Sequence, residues 1–249
     1  AISKNTKILL WVHTSNYIMK GYTKEVPLED IVSIGKKYKI PVVADLGSGS
    51  FIDMSNFDIP SEIPVSEIVK KGPDITLFSG DKMLGGPQSG IILSTKILIN
   101  IIKSNSIYRT VRCDKITIAI LDDILRSYKK NGFLKSNLAL MLLTQDRKTL
   151  KKMAEEIINS VQEHKLRTLG LTIEDSMVEV GSGSLPEKNL KSVTLKFSPK
   201  NMSIDIISKL FKQYKFPIIG YINRNSFFID LKAVLPSQSF HIIDAINKV

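Results

Sequence analysis

A lysine, an acid, a serine and an asparagine follow apolar runs in an order that suits one kind of chemistry. Lys82 comes after the apolar run Ile75 to Phe78 and before a glycine-rich turn, Leu84-Gly85-Gly86-Pro87-Gln88. Asp45, 37 residues earlier, closes the run Pro41-Val42-Val43-Ala44. Asn16 follows a third run, Lys7 to His13, and lies 29 residues before Asp45. A lysine so placed can hold pyridoxal phosphate as a Schiff base. An acid ending the neighbouring strand can pair with the pyridine nitrogen, so that the ring accepts electrons from a carbanion. Ser79, three residues before Lys82, can reach a phosphate, and Asn16 can donate to the cofactor's phenolic oxygen. Arg109 and Arg112, three apart and just ahead of Asp114, are spaced to put two guanidinium groups on one side of a turn, a geometry for an oxyanion.

The elements that must carry these residues alternate. Lys7 to His13 reads as a strand. Pro27 to Lys39 reads as an amphipathic helix with Leu28, Ile31, Val32 and Ile34 inward. Strand Val42 to Asp45, helix Pro64 to Lys71, strands Ile75 to Phe78 and Gly90 to Ser94, and helices Lys96 to Asn105 and Asp114 to Lys130 follow. Strand–helix–strand units predict an α/β layer with a mainly parallel sheet. The tail has another rhythm: a long helix Arg147 to Leu166, strands Leu171 to Val180 and Ser192 to Phe197, helix Ile204 to Tyr214, strands Pro217 to Asn223 and Phe227 to Leu231, and helix Gln238 to Val249. That predicts a small α+β domain. Asn131-Gly132 breaks the preceding helix, so the expected domains are 1–135 and 136–249.

The chain has 249 residues and carries 35 Lys+Arg against 24 Asp+Glu, a formal net charge of +11. The excess is spread: 19 basic and 13 acidic residues up to residue 135, then 16 and 11. Such a balance favours an anionic partner such as nucleic acid, or reflects a lysine-rich background. The single cysteine, Cys113, excludes a disulfide framework and a cysteine-rich metal site. No apolar run approaches the roughly 18 residues of a membrane-spanning helix, and no leader is visible, so a soluble cytoplasmic protein without metal is expected. Each motif also has a plain reading. A lone lysine after a strand is usually solvated, and an acid there is often only a cap. Gly47-Ser48-Gly49-Ser50 resembles half a dinucleotide loop but opens no helix, and Gly181-Ser182-Gly183-Ser184 reads as a turn. Arg109 and Arg112 can pair with Asp114 or Asp122, and His13 reads as a core histidine. The joint order Asn, Asp, Ser-x-x-Lys, each one crossover apart, raises the functional reading above these.

The strings His13-Thr14-Ser15-Asn16-Tyr17, Asp45-Leu46-Gly47-Ser48-Gly49-Ser50, Phe78-Ser79-Gly80-Asp81-Lys82 with Leu84-Gly85-Gly86-Pro87-Gln88, and Arg109-x-x-Arg112-x-Asp114-Lys115 resemble the bacterial selenocysteine synthase family, the L-seryl-tRNA(Sec) selenium transferases. The likeness runs on through Gly183-Ser184-Leu185-Pro186 and Pro217-Ile218-Ile219-Gly220 to Ile229-Asp230-Leu231. It implies fold type I of the pyridoxal phosphate enzymes, and conversion of seryl-tRNA(Sec) to selenocysteyl-tRNA(Sec) with selenophosphate as donor, in a homo-oligomer. It implies Lys82 as the Schiff-base lysine, Asp45 as the pyridine partner, Asp81 as an acid beside the cofactor, and Arg109 and Arg112 lining the anion-binding part of the site. Two arginines associated with the family are replaced, by Ile18 and Tyr221, and the usual Asp-Leu-Arg ends in Lys232. The resemblance leaves the family's N-terminal tRNA-binding part and the start of its cofactor domain without counterpart here, and the expectation is that this stretch does not act alone. Two other readings share the pattern: a fold type I lyase or β-elimination enzyme acting on a small amino acid, and a non-catalytic remnant.

Overall fold

The computed structural model describes residues 1–14, 19, 21–57, 59, 63–130, 132–180 and 189–249. The chain divides into two compact units, the first built on residues 1–141 and the second on 142–178 and 189–249. The first contains β1 (Leu9–Val12), α1 (Leu28–Tyr38), β2 (Val42–Asp45), a short 3-10 turn (Met54–Phe57), α2 (Val65–Lys70), β3 (Ile75–Ser79), β4 (Gly90–Ser94), α3 (Lys96–Ser104), α4 (Ser106–Val111), α5 (Lys115–Ser127) and α6 (Phe133–Ser136). A further helix, α7 (Leu138–Leu143), runs across the division. The sequence-read boundary after residue 135 falls inside this unit, because Asn137 is buried and its amide donates to Leu84 O at 2.8 Å.

The sheet of the first unit runs β1-β2-β3-β4. β1 with β2 and β2 with β3 are parallel, while β4 returns antiparallel to β3. Leu28, Val32 and Gly35 form the buried stripe of α1, a helical spacing, and pack with Val42, Ala44, Leu46, Val65, Ile68, Phe78 and Leu84. Ile31 is half-buried, but Ile34, expected inward, is exposed, since two positions along a helix from Val32 turn a side chain to the opposite face. Gly35 takes the inward place because the helix backbone presses on β2: an added Cβ would lie 2.4 Å from Val42 Cγ2 and 2.8 Å from Ile40 O. On β1, Leu9 and Trp11 pack toward this core, while Ile8, Leu10 and Val12 are more than half exposed.

The second unit contains α8 (Arg147–Asn159), α9 (Glu163–Leu169), β5 (Leu171–Glu179), β6 (Asn189–Phe197), α10 (Ile204–Gln213), β7 (Tyr221–Asn223), β8 (Ser226–Asp230) and α11 (Ser239–Lys248). Its sheet runs β5-β6-β8-β7, with β6–β8 and β7–β8 antiparallel. The core centres on Phe197, Phe211 and Phe227, whose rings pack at centroid distances of 5.2 to 5.7 Å. Two expectations are corrected here. The long helix Arg147 to Leu166 is broken at Ser160, because Val161 turns into the core and the Gln162 N–H goes to Asn247 Oδ1 at 3.0 Å. The strand Pro217 to Asn223 pairs only from Tyr221. Pro217 has no N–H to give a ladder, and the Ile218 N–H turns back to Phe211 O at 3.0 Å. Among the described residues no helix is long and apolar enough to cross a membrane.

Gly35→Ala tests the packing of α1. Alanine in a helix interior ordinarily stabilises by about 0.5–1 kcal/mol over glycine. Here the sign should reverse, with a loss of about 1–3 kcal/mol from overpacking against Val42 and Ile40. Denaturant unfolding reads this directly, and a more stable variant would refute the close approach.

Candidate active site

Asp45 and Ser79 end neighbouring parallel strands. In register, Val12 faces Asp45 and Asp45 faces Leu77. The ladder continues past the strands: His13 N–H donates to Asp45 O at 2.8 Å, Leu46 N–H to Leu77 O at 2.9 Å, and Ser79 N–H to Gly47 O at 3.0 Å. The loop after β2 is thereby stitched to the end of β3, so both side chains emerge at the carboxyl edge of the sheet, where open α/β sheets bind ligands. The Asp45 carboxylate is oriented by its own loop, since Oδ1 accepts the Gly47 N–H at 3.0 Å. Asp45, Ser79 and Lys82 are half-buried, and Asp81 is exposed. A carboxylate, a hydroxyl and an amine on one sheet edge are the donor set a pyridoxal phosphate site requires.

Glycines let the two loops approach closely. Gly49 sits at φ +70°, and an added Cβ would lie 2.5 Å from Phe78 Cδ2, so the loop rests directly on that ring. No α-helix opens after Ser50; Ser48 and Ser50 are buried, and the Ser50 hydroxyl donates to Ile52 O at 2.8 Å. The turn bearing Lys82 is closed by Gly86 N–H to Gly80 O at 2.8 Å and Gly85 N–H to Lys82 O at 2.9 Å. Met83 and Leu84, both buried, root it in the core. Leu84 O accepts two distant donors, the Tyr128 hydroxyl at 2.9 Å and Asn137 Nδ2 at 2.8 Å. Phe78, Phe51, Tyr128 and Phe133 form a run of ring contacts beneath the loops. Sequence reasoning missed Tyr128 and Asn137, because nothing local marks a residue that reaches back 44 or 53 positions. His13, read as a core histidine, is half-buried, its ring stacked on Trp11 at 5.9 Å.

Arg109 lies in α4 and Arg112 caps its end, both exposed. Neither pairs with the acids offered as plain partners. The Asp114 carboxylate caps α5 through Ile116, Thr117 and the Thr117 hydroxyl, bonds that hold it below the usual range, the Thr117 N–H foremost. Asp122 binds Arg126 at 2.7 Å. Among the described residues no hydrogen bond links either arginine to the strand-end cluster. Asn16, Ile18 and the Gly183–Pro186 string lie outside the described residues. Tyr221 stacks on Phe228 at 5.1 Å, and Lys232 donates to Gln145 O at 2.6 Å, with burial drawing its ammonium below the ordinary lysine range.

A mainly parallel α/β unit followed along the chain by a small antiparallel unit is the fold read from the sequence, fold type I of the pyridoxal phosphate enzymes. The solved structure of D-glucosaminate-6-phosphate ammonia-lyase shares the fold across 100% of this chain and 58% of its own, with a TM-score of 0.62 at 17% identity. The family described as L-seryl-tRNA selenium transferase matches residues 1–235, and the chain belongs to that family. Relatives carrying the name L-seryl-tRNA(Sec) selenium transferase include those of Carboxydothermus hydrogenoformans, 37% identical over 96% of this chain, and Mannheimia succiniciproducens, 39% identical over 97%. The chain spans about half the length of these relatives, 51% and 52%.

Tyr128 gives the anchor of the lysine turn a pH signature. Burial pushes its phenol up to about 12 from the ordinary 10.0. A group whose folded pKa is raised stabilises fully below its unfolded value and loses that contribution as pH rises through the folded one. The stability advantage of the native protein over Tyr128→Phe should therefore be constant below pH 10 and shrink between pH 10 and 12. Melting temperatures of both across that range check it; a constant difference up to pH 12 would contradict a buried, protonated phenol.

Proposed function

We propose that the protein carrying this chain converts seryl-tRNA(Sec) to selenocysteyl-tRNA(Sec), with pyridoxal phosphate as cofactor and selenophosphate as selenium donor, as a cytoplasmic homo-oligomer. The carrying observation is the parallel register that brings Asp45 and Ser79 to one sheet edge with Lys82 in the adjoining turn. Membership of the family supports the reaction. Lys82 would hold the cofactor through its amine, Asp45 would face the pyridine nitrogen, Ser79 would donate to the phosphate, and Asn16 to the phenolic oxygen. The bound cofactor supplies an electron sink that acidifies the serine α-proton and lets the β-hydroxyl depart.

The chain's own residues supply the rest. Asp45, oriented by the Gly47 N–H, keeps a negative charge against the ring nitrogen. Lys82 takes the proton at serine Cα, and Asp81 gives the proton with which the β-hydroxyl leaves as water. Arg109 and Arg112 bind the phosphate of the donor, a task for guanidinium because it stays charged and binds two oxygens at once.

Borohydride reduction of the pyridoxal phosphate-loaded protein, followed by peptide mapping, should label Lys82. A label on another lysine sinks the assignment. Asp45→Ala should still accept the label but bind the cofactor more weakly, with little turnover left.

Arg109→Ala and Arg112→Ala should each raise the KM for selenophosphate about tenfold or more, the cost of a lost charge-assisted hydrogen bond, without lowering the melting temperature, since both side chains are exposed. Unchanged steady-state use of selenophosphate by the double variant would end the proposal for this pair.

A further inference from the structure

Where Pro217–Gly220 leaves β8, it opens a cleft of about 240 Å3 in the second unit. Phe216, Ile218 and Ile219 line one side, and Val234, His241 and Ile242 the other. The lining rings of His241 and Phe216 lie 4.0 Å apart, and Phe240, next to the lining, lies 3.7 Å from His241, centroid to centroid. Phe216 and Phe240 are nevertheless 46% and 58% exposed, so each ring offers surface to a further flat partner.

Two exposed lysines flank Phe216, and one acid, Asp230, lines the cleft. Lys215 stands over the Phe216 ring at 5.4 Å, and Lys212 lies in the last turn of α10, which the Ile218 N–H ties to the cleft wall through Phe211 O. Both are exposed and, among the described residues, form no ion pair. Both nearby acids are hydrogen-bonded, and Asp244 is paired with a cation, Lys248. Asp244 accepts from Tyr214 and from Lys248 at 2.8 Å, and the Asp230 oxygens accept from Ser176 and Ser192 at 2.6 Å each. Exposed aromatic faces flanked by lysines are how proteins hold unpaired nucleotides, base on ring and phosphate on ammonium. The cleft is smaller than the roughly 300 Å3 at which drug-sized pockets begin, which suits one ring system rather than a peptide side.

We infer that this cleft is an RNA subsite: one unpaired base of the bound tRNA stacks on Phe216 and Phe240, and its flanking phosphates sit on Lys212 and Lys215. The inference rests on the tRNA reading above and adds the surface that grips it. The site needs no cofactor and takes no part in the chemistry at Lys82.

The test is fluorescence anisotropy of a labelled tRNA transcript on the purified protein at several salt concentrations. Phe240→Ala should weaken binding about tenfold, the usual effect of losing one stacked base, and leave the salt slope unchanged. Lys212→Ala with Lys215→Ala should weaken binding and flatten the log–log salt slope by about 1.5 to 2, the loss of two phosphate contacts. Phe216→Ala provides a second stacking variant, and melting curves verify that each protein folds. Native-like affinity in both phenylalanine variants overturns the subsite while leaving the tRNA reading intact, as does a change confined to oligomeric state by light scattering. Native protein that binds no tRNA overturns both.

Discussion

The parallel pairing of β2 with β3 is the constraint on which the rest of the first unit depends. Two strands of four and five residues make only a short ladder, but two loop hydrogen bonds extend it past the end of β2, and a third ties the residue after β1 to Asp45. Those bonds matter because a strand end is otherwise free to fray, and a carboxylate on a frayed end has no fixed direction. With His13 bonded to the Asp45 carbonyl on one side, and Leu46 to Leu77 and Gly47 to Ser79 on the other, the backbone at and just after Asp45 is held from both neighbours. The positive φ of Gly47 and Gly49 then lets the loop turn sharply enough to lie on Phe78.

The lysine turn is positioned differently. It leaves the sheet, and it is fixed by its own backbone bonds, Gly86 to Gly80 and Gly85 to Lys82, by side chains sunk into the core and by a carbonyl met by distant donors. Leu84 serves as both: its side chain is fully buried and its carbonyl takes Tyr128 and Asn137 together. Gly85 has room for no side chain, since a Cβ would lie 2.4 Å from Asn137 Oδ1. The glycines after Lys82 thus serve packing, and Lys82 is a side chain on a turn clasped to the core.

The second unit reaches stability by another route, with an antiparallel sheet covered on one side by α8, α10 and α11 around three phenylalanines. The other side of β6 and β8 carries hydroxyls and an acid, Ser192, Thr194, Ser226 and Asp230, which satisfy one another or the backbone. Some of the unit's lysines are paired, Lys196 with Glu174 and Lys248 with Asp244, and the +11 charge is spread over both halves rather than gathered in one run.

Much of the site was legible in the residues themselves. An acid after Val-Val-Ala and a lysine after Ile-Thr-Leu-Phe are read from period and punctuation, and the strings around them carry the family. These are local properties: apolar alternation, glycine conformational freedom and helix capping act over a few residues. Where the chain had to choose among distant partners, the letters were silent. Nothing in Tyr128 or Asn137 announces Leu84, and nothing in Ile34 says that Gly35 yields its place to Val42. The break at Ser160 and the departure of Pro217 from β8 are likewise decided by which side chain fills the core. Sequence alone determined most of the elements and the residue types at their ends. Only the tertiary structure decided which backbone groups are held, and therefore how firmly that chemistry is aimed, because packing selects among contacts that local rules leave equal in energy.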